Sequence, residues 1–370
     1  MDKEQAVSVF ESAIKGFLAP IWNLLKDEKV TEVMINSFDE IWVEIKGKVS
    51  KTSARFTDED SLRAAVNSIA QSVGRRIDDE TPRLDARLPN GYRIHAVIPP
   101  CSRKGTSIAI RKFSTTQFTF QDYIRFGTMT GTVAEFLKAA SQLGKNIIVS
   151  GGTGSGKTSL LGSMCSYIPP GQRIIVIEDS CELQVEYEHV VFFETRMADA
   201  EGKGEVTIQD LVKSSLRLRP DRIIVGEVRG GEALDLINAM NTGHKGCLGT
   251  VHANSPHDAI VRLESLAQGA SNLSDQALQH QIGSAIDLII QVSRYPDGSR
   301  RLSSVAEVLG VEKGIYNVVP IFELGRLIKQ SDGKLLGRIG PTGQLPTFMT
   351  ELEDNHLPVP RSIFQKKKAA

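Results

Sequence analysis

The sequence predicts an α/β protein with a parallel-sheet core, preceded by a smaller α+β domain. Three observations predict it. From Thr132 onward, short runs rich in isoleucine and valine alternate with segments of helical spacing, the pattern of strands covered on both faces by crossover helices. One of those runs, Asn146–Ser150, leads into Gly151-Gly152-Thr153-Gly154-Ser155-Gly156-Lys157-Thr158, which fits the G-x-x-x-x-G-K-[ST] spacing of a P-loop. Ahead of Thr132 the period changes to alternation with hairpin turns, which sets residues 26–112 apart.

The chemistry of the glycine-rich stretch follows from its backbone. Glycines let the chain visit positive φ and approach phosphates with no Cβ in the way. Successive N–H groups then line a concavity for anions, and the following helix directs its positive end and unpaired donors to the same place. Lys157 adds a point charge for the β and γ phosphates, and the Thr158 hydroxyl suits Mg²⁺.

Composition bounds the alternatives. The 370 residues exceed one small core and imply two domains or more. Lysine plus arginine and aspartate plus glutamate both number 44, so bulk charge offers no case for wholesale nucleic-acid or anionic-membrane binding. Cys101, Cys165, Cys181 and Cys247 show no C-x-x-C pair and are expected as reduced, mostly buried thiols of a cytosolic protein. No apolar run is long enough to span a bilayer and no signal peptide is evident, so work at a membrane would require recruitment by partners.

In chain order, Gln5–Leu25 carries Val9, Ile14, Leu18, Ile21, Leu24 and Leu25 at roughly helical spacing, interrupted at Pro20, and forms a helical lead-in over 1–25. Val33-Met34-Ile35, Ile41–Ile45, a Lys46-Gly47 turn and Lys48–Ser50 predict short strands and a hairpin. Asp58–Val73 predicts a helix capped by Thr57 or Asp58. Arg83–Leu88, a Pro89-Asn90-Gly91 turn and Tyr92–Ile98 predict a second hairpin, and Ser107–Arg111 another strand. Arg87, Arg93 and Arg111 lie on or beside these strands; such arginines are usually solvated, although the guanidinium also suits bidentate phosphate binding. Residues 113–131 form a polar linker and hinge.

The nucleotide domain spans 132–325. A helix over Val133–Leu143 precedes the P-loop strand, and Arg173–Ile177 is a second buried strand ending in Glu178-Asp179. Asp221–Glu227 repeats the arrangement, with Glu227 at its end. Carboxylates beyond the carboxyl ends of parallel strands face the ligand crevice. Many P-loop proteins hold Mg²⁺ through an acid at the Glu227 position, although the usual residue is Asp. Cys247–Val251 is a third such strand, flanked by His244 and His252, and either is a candidate for the γ-phosphate. Helices are expected over Ala233–Asn241, Pro256–Leu266 and Asp275–Ser284, with a strand over Asp287–Val292. Residues 326–370 read as a small appendage, whose Lys366–Lys368 run is a solvated tail.

Four blocks, GGTGSGKTS at 151–159, IIVIEDSCELQ at 174–184, LRLRPDRIIVGEVRGGEA at 216–233 and TGHKGCLGTVHANS at 242–255, together resemble the Walker A, Asp box, atypical Walker B and His box of secretion-superfamily traffic ATPases. VTEVMINSFDEIWVEIKGKV at 30–49, DARLPNGYRIHAVIPP at 85–100 and GRIGPTGQLPTF at 337–348 are similar to one branch, the Tad/Flp pilus assembly ATPases of CpaF type. The long amino-terminal extension of many CpaF-type proteins is reduced here to a short stretch, and the tetracysteine module of the type II branch is missing.

That resemblance implies a homo-hexamer of two-domain subunits with a RecA-like carboxy-terminal domain. ATP with Mg²⁺ would bind between the domains, and hydrolysis would rotate one domain against the other. The ring would act on an inner-membrane platform protein at the cytoplasmic face, with no direct nucleic-acid contact. Gly151 to Ser159 would cradle nucleotide, with Thr158 and Glu227 supporting the metal. Glu178 would polarise water, His252 with His244 would sense the γ-phosphate, and Arg87, Arg93 and Arg111 would close onto nucleotide. A type IV secretion or conjugation channel ATPase is the alternative within the family. A nucleic-acid translocase is disfavoured by the balanced charge, and a non-hydrolysing scaffold by the positioned acids.

Overall fold

The computed structural model describes residues 15–45, 47–112, 117–198 and 202–366. Two compact units are present, Met1–Thr115 with Met197–Glu205, and Thr116–Arg196 with Val206–Ala370. Lys46, residues 1–14 of the lead-in, residues 113–116 of the linker and the end of the Lys366–Lys368 run lie outside the described residues.

The first unit is an antiparallel sheet with one covering helix. Its strands are β1 (Val30–Ser37), β2 (Glu40–Ile45), β3 (Lys48–Lys51), β4 (Arg83–Arg87), β5 (Arg93–Val97) and β6 (Ser107–Arg111), in the order β3-β2-β1-β6-β5-β4. Gly91, at φ 88°, provides the left-handed residue that closes the β4–β5 hairpin. Alternation turns Val33, Ile35, Ile41, Val43, Ile94 and Ile110 to one face. The helix Glu59–Ser72 covers that face with Leu62, Val66 and Ile69, each burial contributing roughly 2 kcal/mol. Asp58 is the cap: its carboxylate accepts from Ser61 N at 2.8 Å, and the Ser61 hydroxyl accepts from Asp58 N at 3.2 Å. Of the lead-in, a 3₁₀ turn at Ala19–Ile21 and a short helix Trp22–Lys26 bury Leu18, Ile21 and Leu25 in the same core.

The second unit has three layers. Its strands are β7 (Ile147–Gly151), β8 (Ile174–Glu178), β9 (Val190–Glu194), β10 (Arg222–Val225), β11 (Leu248–Val251), β12 (Leu288–Arg294), β13 (Arg300–Glu312) and β14 (Ile315–Leu324). A two-residue ladder of β15 (Ile328–Lys329) and β16 (Leu335–Leu336) follows, then β17 (Ile339–Pro341). The main sheet runs β17-β14-β13-β12-β7-β11-β10-β8-β9; from β12 to β9 every pair is parallel, and β13, β14 and β17 extend it antiparallel. Ile147 and Val149 enter one core and Ile148 the other, as required of a strand buried on both faces. Helices Gly131–Leu143 and Lys157–Cys165 pack on the first side. Helices Ile208–Ser215, Glu232–Asn241, Pro256–Gln268 and Asp275–Ala285 pack on the second.

Several elements depart from expectation. Within the stretch read as a polar linker, a short helix Phe120–Arg125 buries Phe120 and Tyr123 in the second unit's core. Residues 326–370, expected as an appendage, contribute β17 to the main sheet and aromatic side chains to its core. Phe322, Phe348 and Phe364 surround Phe136 with ring centroids 5.4, 5.9 and 5.5 Å away. Of the four free cysteines, Cys165 and Cys247 are buried, Cys181 is half-buried and Cys101 is exposed. Among the described residues no helix is long and apolar enough to cross a membrane.

Candidate active site

The phosphate loop begins where β7 is crowded by its neighbour. A Cβ on Gly151 would lie 2.2 Å from the Val292 carbonyl of β12, so only glycine fits. Gly154 and Gly156 take φ 68° and 96°, the left-handed turns that bring the chain to the first residue of the helix Lys157–Cys165. Gly152, Thr153 and Gly154 are exposed, Ser155 is buried, Thr158 is half-buried and Ser159 is exposed on the helix's first turn. Lys157 is buried and folds onto the loop, donating to the carbonyls of Gly151 at 3.0 Å and Gly152 at 3.2 Å. Burial holds its ammonium below the ordinary lysine range.

Sheet order brings the remaining groups to this loop. β11 separates the loop-bearing β7 from β10, so the carboxyl end of β11 delivers His252 between the loop and Glu227. Backbone ties fix those ends: Gly226 N donates to Ile177 O at 2.8 Å, Val228 N to Thr250 O at 2.8 Å, and the Thr250 hydroxyl to Gly226 O at 2.6 Å. His252 Nε2 lies 3.0 Å from Glu227 Oε1, and Lys157 Nζ is 3.4 Å from both ring nitrogens. Burial and Lys157 hold His252 below the ordinary histidine range. A neutral ring matches this geometry, with Nε2–H donating to Glu227 and Nδ1 accepting from Lys157.

Arg229 completes the cluster, and no sequence argument had singled it out. Its guanidinium bridges Glu227 at 2.7 Å and Asp179 at 3.0 Å. Burial pushes the Glu227 carboxyl up, but the Arg229 bond, with the nearby Arg229 and Lys157 charges, brings it below the usual range. The available signal was a lone cation two residues past an acid at the end of a parallel strand.

Glu178 sits differently. Its side chain is 4% exposed, and Oε1 accepts from the backbone N–H groups of Glu182 at 3.0 Å and Leu183 at 2.9 Å. Burial outweighs those bonds and pushes the carboxyl up to about 7. Gly226 makes the room, since a Cβ there would stand 2.7 Å from Glu178 Cγ. His244 is not brought to this cluster. It precedes β11 at the amino end, where its carbonyl accepts from the Cys247 thiol, whereas the loop stands at the carboxyl ends of the strands. A four-residue strand separates its two flanks by roughly 13 Å, so the histidines on either side face opposite edges of the sheet.

In the first unit, register aligns the three arginines. Arg87 lies opposite Arg93, and Arg93 opposite Arg111, in one row across β4, β5 and β6 that continues through Glu32 to Glu44. Arg93 also pairs with Asp85 at 3.2 Å. Like charges directly opposed across strands are unfavourable, and here Asp85 beside Arg93 and Glu32 opposite Arg111 set carboxylates next to the row.

The described oxygen donors fit a hard cation: the Thr158 hydroxyl at the helix start and the Glu227 carboxylate at the neighbouring strand ends are of the type Mg²⁺ takes alongside substrate phosphates.

Residues 16–313 match the type II/IV secretion system protein family. The chain belongs to that family. One secretion-family relative, the putative conjugal transfer protein Rv3659c of Mycobacterium tuberculosis, is 36% identical over 317 residues, covering 84% of this chain and 89% of the relative. The conjugal transfer protein TrbB of Rhizobium radiobacter is 35% identical over 296 residues, covering 79% and 88%. The pilus retraction motor PilT with bound ADP shares the fold at a TM-score of 0.56 and 20% identity, covering 91% of this secretion-family chain and 86% of its own.

Proposed function

We propose that this protein is a hexameric, Mg²⁺-dependent ATPase whose hydrolysis cycle drives relative motion of its two units and powers assembly of a Tad/Flp-type pilus. The observation that carries the hydrolytic part is the convergence of Lys157, His252, Glu227 and Arg229 at the carboxyl ends of adjacent parallel strands. The pilus part is supported by the resemblance of residues 30–49, 85–100 and 337–348 to the CpaF branch.

In this reading the loop amides and Lys157 hold the β and γ phosphates, Thr158 holds Mg²⁺ directly and Glu227 supports it through an intervening water. Bound Mg²⁺ would neutralise charge on the β and γ oxygens. His252, neutral and donating to Glu227, reports the γ end of the loop to the strand ends. We assign the acid that acts on water to Glu227. Glu178 accepts from the backbone N–H groups of Glu182 and Leu183 through Oε1 and is the alternative acid for this step. The Arg87–Arg93–Arg111 row supplies positive charge to the transferring phosphate when the units close, so that closure gates hydrolysis. The protein works at the cytoplasmic face of the inner membrane through a platform protein and touches no nucleic acid.

A second reading, a motor for a type IV secretion or conjugation channel, is favoured by the names of the conjugal transfer relatives. The test is ATPase rate against protein concentration, with oligomer mass from light scattering and single-stranded DNA as a control. Specific activity that rises with a six-subunit particle and ignores DNA supports the pilus motor. Activity from a stable monomer, or strong stimulation by DNA, overturns it.

A further inference from the structure

Gln291 is an amide in an otherwise aliphatic part of β12, buried at 3% exposure, and it stands opposite Ser150 in the parallel register with β7. Two residues earlier, Ile289 and Ile148 are opposite one another and enter the second core, so alternation turns Gln291 and Ser150 to that same face. Gln291 Nε2 donates to the Ala253 carbonyl at 3.1 Å. Ala253 directly follows His252, after β11 has ended at Val251. Because β7 lies between β12 and β11, this one side chain spans the end of the loop-bearing strand to reach the histidine segment.

A bulge sets the position. Gln291 pairs with Ser304 and Val292 with Leu302, which leaves Ser303 as the extra residue of β13, its hydroxyl donating to the Gln291 carbonyl at 3.4 Å. Bulges beside functional sites re-aim side chains. Gln291 Oε1 and the Ser150 hydroxyl are buried without a hydrogen-bond partner within the protein. An apolar side chain of the same length would carry no such cost, so the use of an amide here lies at its other end, in the bond to Ala253. The far end of the 252–255 segment is held by Ser255, whose hydroxyl accepts from Asp258 N at 3.0 Å. Gln291 holds the middle.

We propose that Gln291 is a positioning residue for hydrolysis: it ties the peptide after His252 to β12, across the phosphate-loop strand, and so sets the His252 ring between Lys157 and Glu227. The inference rests on the nucleotide-hydrolysis reading above, but the tie itself is tested without nucleotide. In the full chain, Gln291→Met keeps the length and removes the donor. Hydrogen exchange of the 252–255 amides in nucleotide-free protein then speeds up about tenfold, the scale of one lost hydrogen bond, and unchanged exchange overturns the proposal. With ATP, kcat falls about tenfold while KM and ADP affinity stay within about twofold, as for a displaced group that does not bind the ground state; unchanged kcat overturns the proposal. In a His252→Ala background the same substitution has no further effect on kcat, whereas additive losses mean that Gln291 acts elsewhere and overturn it. Gln291→Asn carries the amide on a stem too short to cross β7 and reproduces the kcat loss even where the methionine variant folds poorly; full turnover in it also overturns the proposal. Wild-type protein that hydrolyses no ATP sinks the nucleotide reading itself, while the exchange result still decides the tie.

Discussion

Glu227 is held by His252 on one side and Arg229 on the other: Oε1 lies 3.0 Å from His252 Nε2, and Oε2 lies 2.7 Å from Arg229 Nη2. Both carboxylate oxygens are therefore oriented before substrate arrives. Such preorganisation is what electrostatic stabilisation of a transition state requires.

Glu227→Gln keeps the shape of this pair and removes the charge. Nucleotide affinity stays within a few-fold while turnover falls by about 100-fold or more, the usual scale for a lost acid–base group. Steady-state hydrolysis with parallel ADP binding checks it. Full turnover transfers the role to Glu178.

Lys157→Ala removes the side-chain cation that folds onto the Gly151 and Gly152 carbonyls. ATP affinity drops roughly 10- to 100-fold, as expected for one charged hydrogen-bond donor. Wild-type affinity in a binding titration would count against the phosphate site.

Glu178 predicts a pH dependence of stability. Its folded carboxyl titrates at about 7, above the ordinary value of 4.5, so the folded state binds the extra proton between those pH values. Stability is therefore fully present at acid pH and falls as pH rises through that window, by roughly 3 kcal/mol. Glu178→Gln removes the slope: it matches wild type near pH 5 and exceeds it near pH 8 in denaturant titrations. Parallel pH profiles for the two proteins would refute the buried, protonated carboxyl.

Arg111→Ala relieves a like-charge neighbour in the arginine row while leaving Glu32 without its cross-strand partner. The stability change stays within about 1 kcal/mol, whereas turnover falls by at least about 100-fold if the row meets the transferring phosphate. Calorimetry and hydrolysis rates together separate these effects, and unaltered turnover returns the row to solvated surface.

Phe136→Ala opens the centre of the aromatic cluster formed with Phe322, Phe348 and Phe364. A loss of about 3–5 kcal/mol is expected, read from denaturant unfolding of the full chain. A loss under about 1 kcal/mol would mean that the carboxy-terminal rings do not support this helix.

Much of this architecture was legible because the backbone demands it. Gly151, Gly154 and Gly156 stand where the loop needs close approach or positive φ, and isoleucine-rich runs mark strands buried on both faces. Asp58 was legible as a cap and Gly91 as a turn. What escaped depended on partners distant in sequence. Phe348 and Phe364 look like residues of a tail until Phe136 is set beside them. Phe120 and Tyr123 hide in a stretch whose composition is polar. Arg229 becomes a site residue only when Asp179 and Glu227 are brought to either side of it. His244 stands apart from the cluster for the converse reason: nearness in sequence to a strand does not say which of its ends a residue occupies.

The late position of β17 and Phe364 has a consequence for biogenesis. Synthesis proceeds from the amino end, and the sheet carrying the phosphate loop reaches its full width only after Ile339–Pro341 has paired with β14. Its aromatic core closes later still, when Phe364 meets Phe136. A nascent chain stalled before these residues therefore carries the glycine-rich loop on a sheet that lacks its β17 edge and a core that lacks the Phe364 ring.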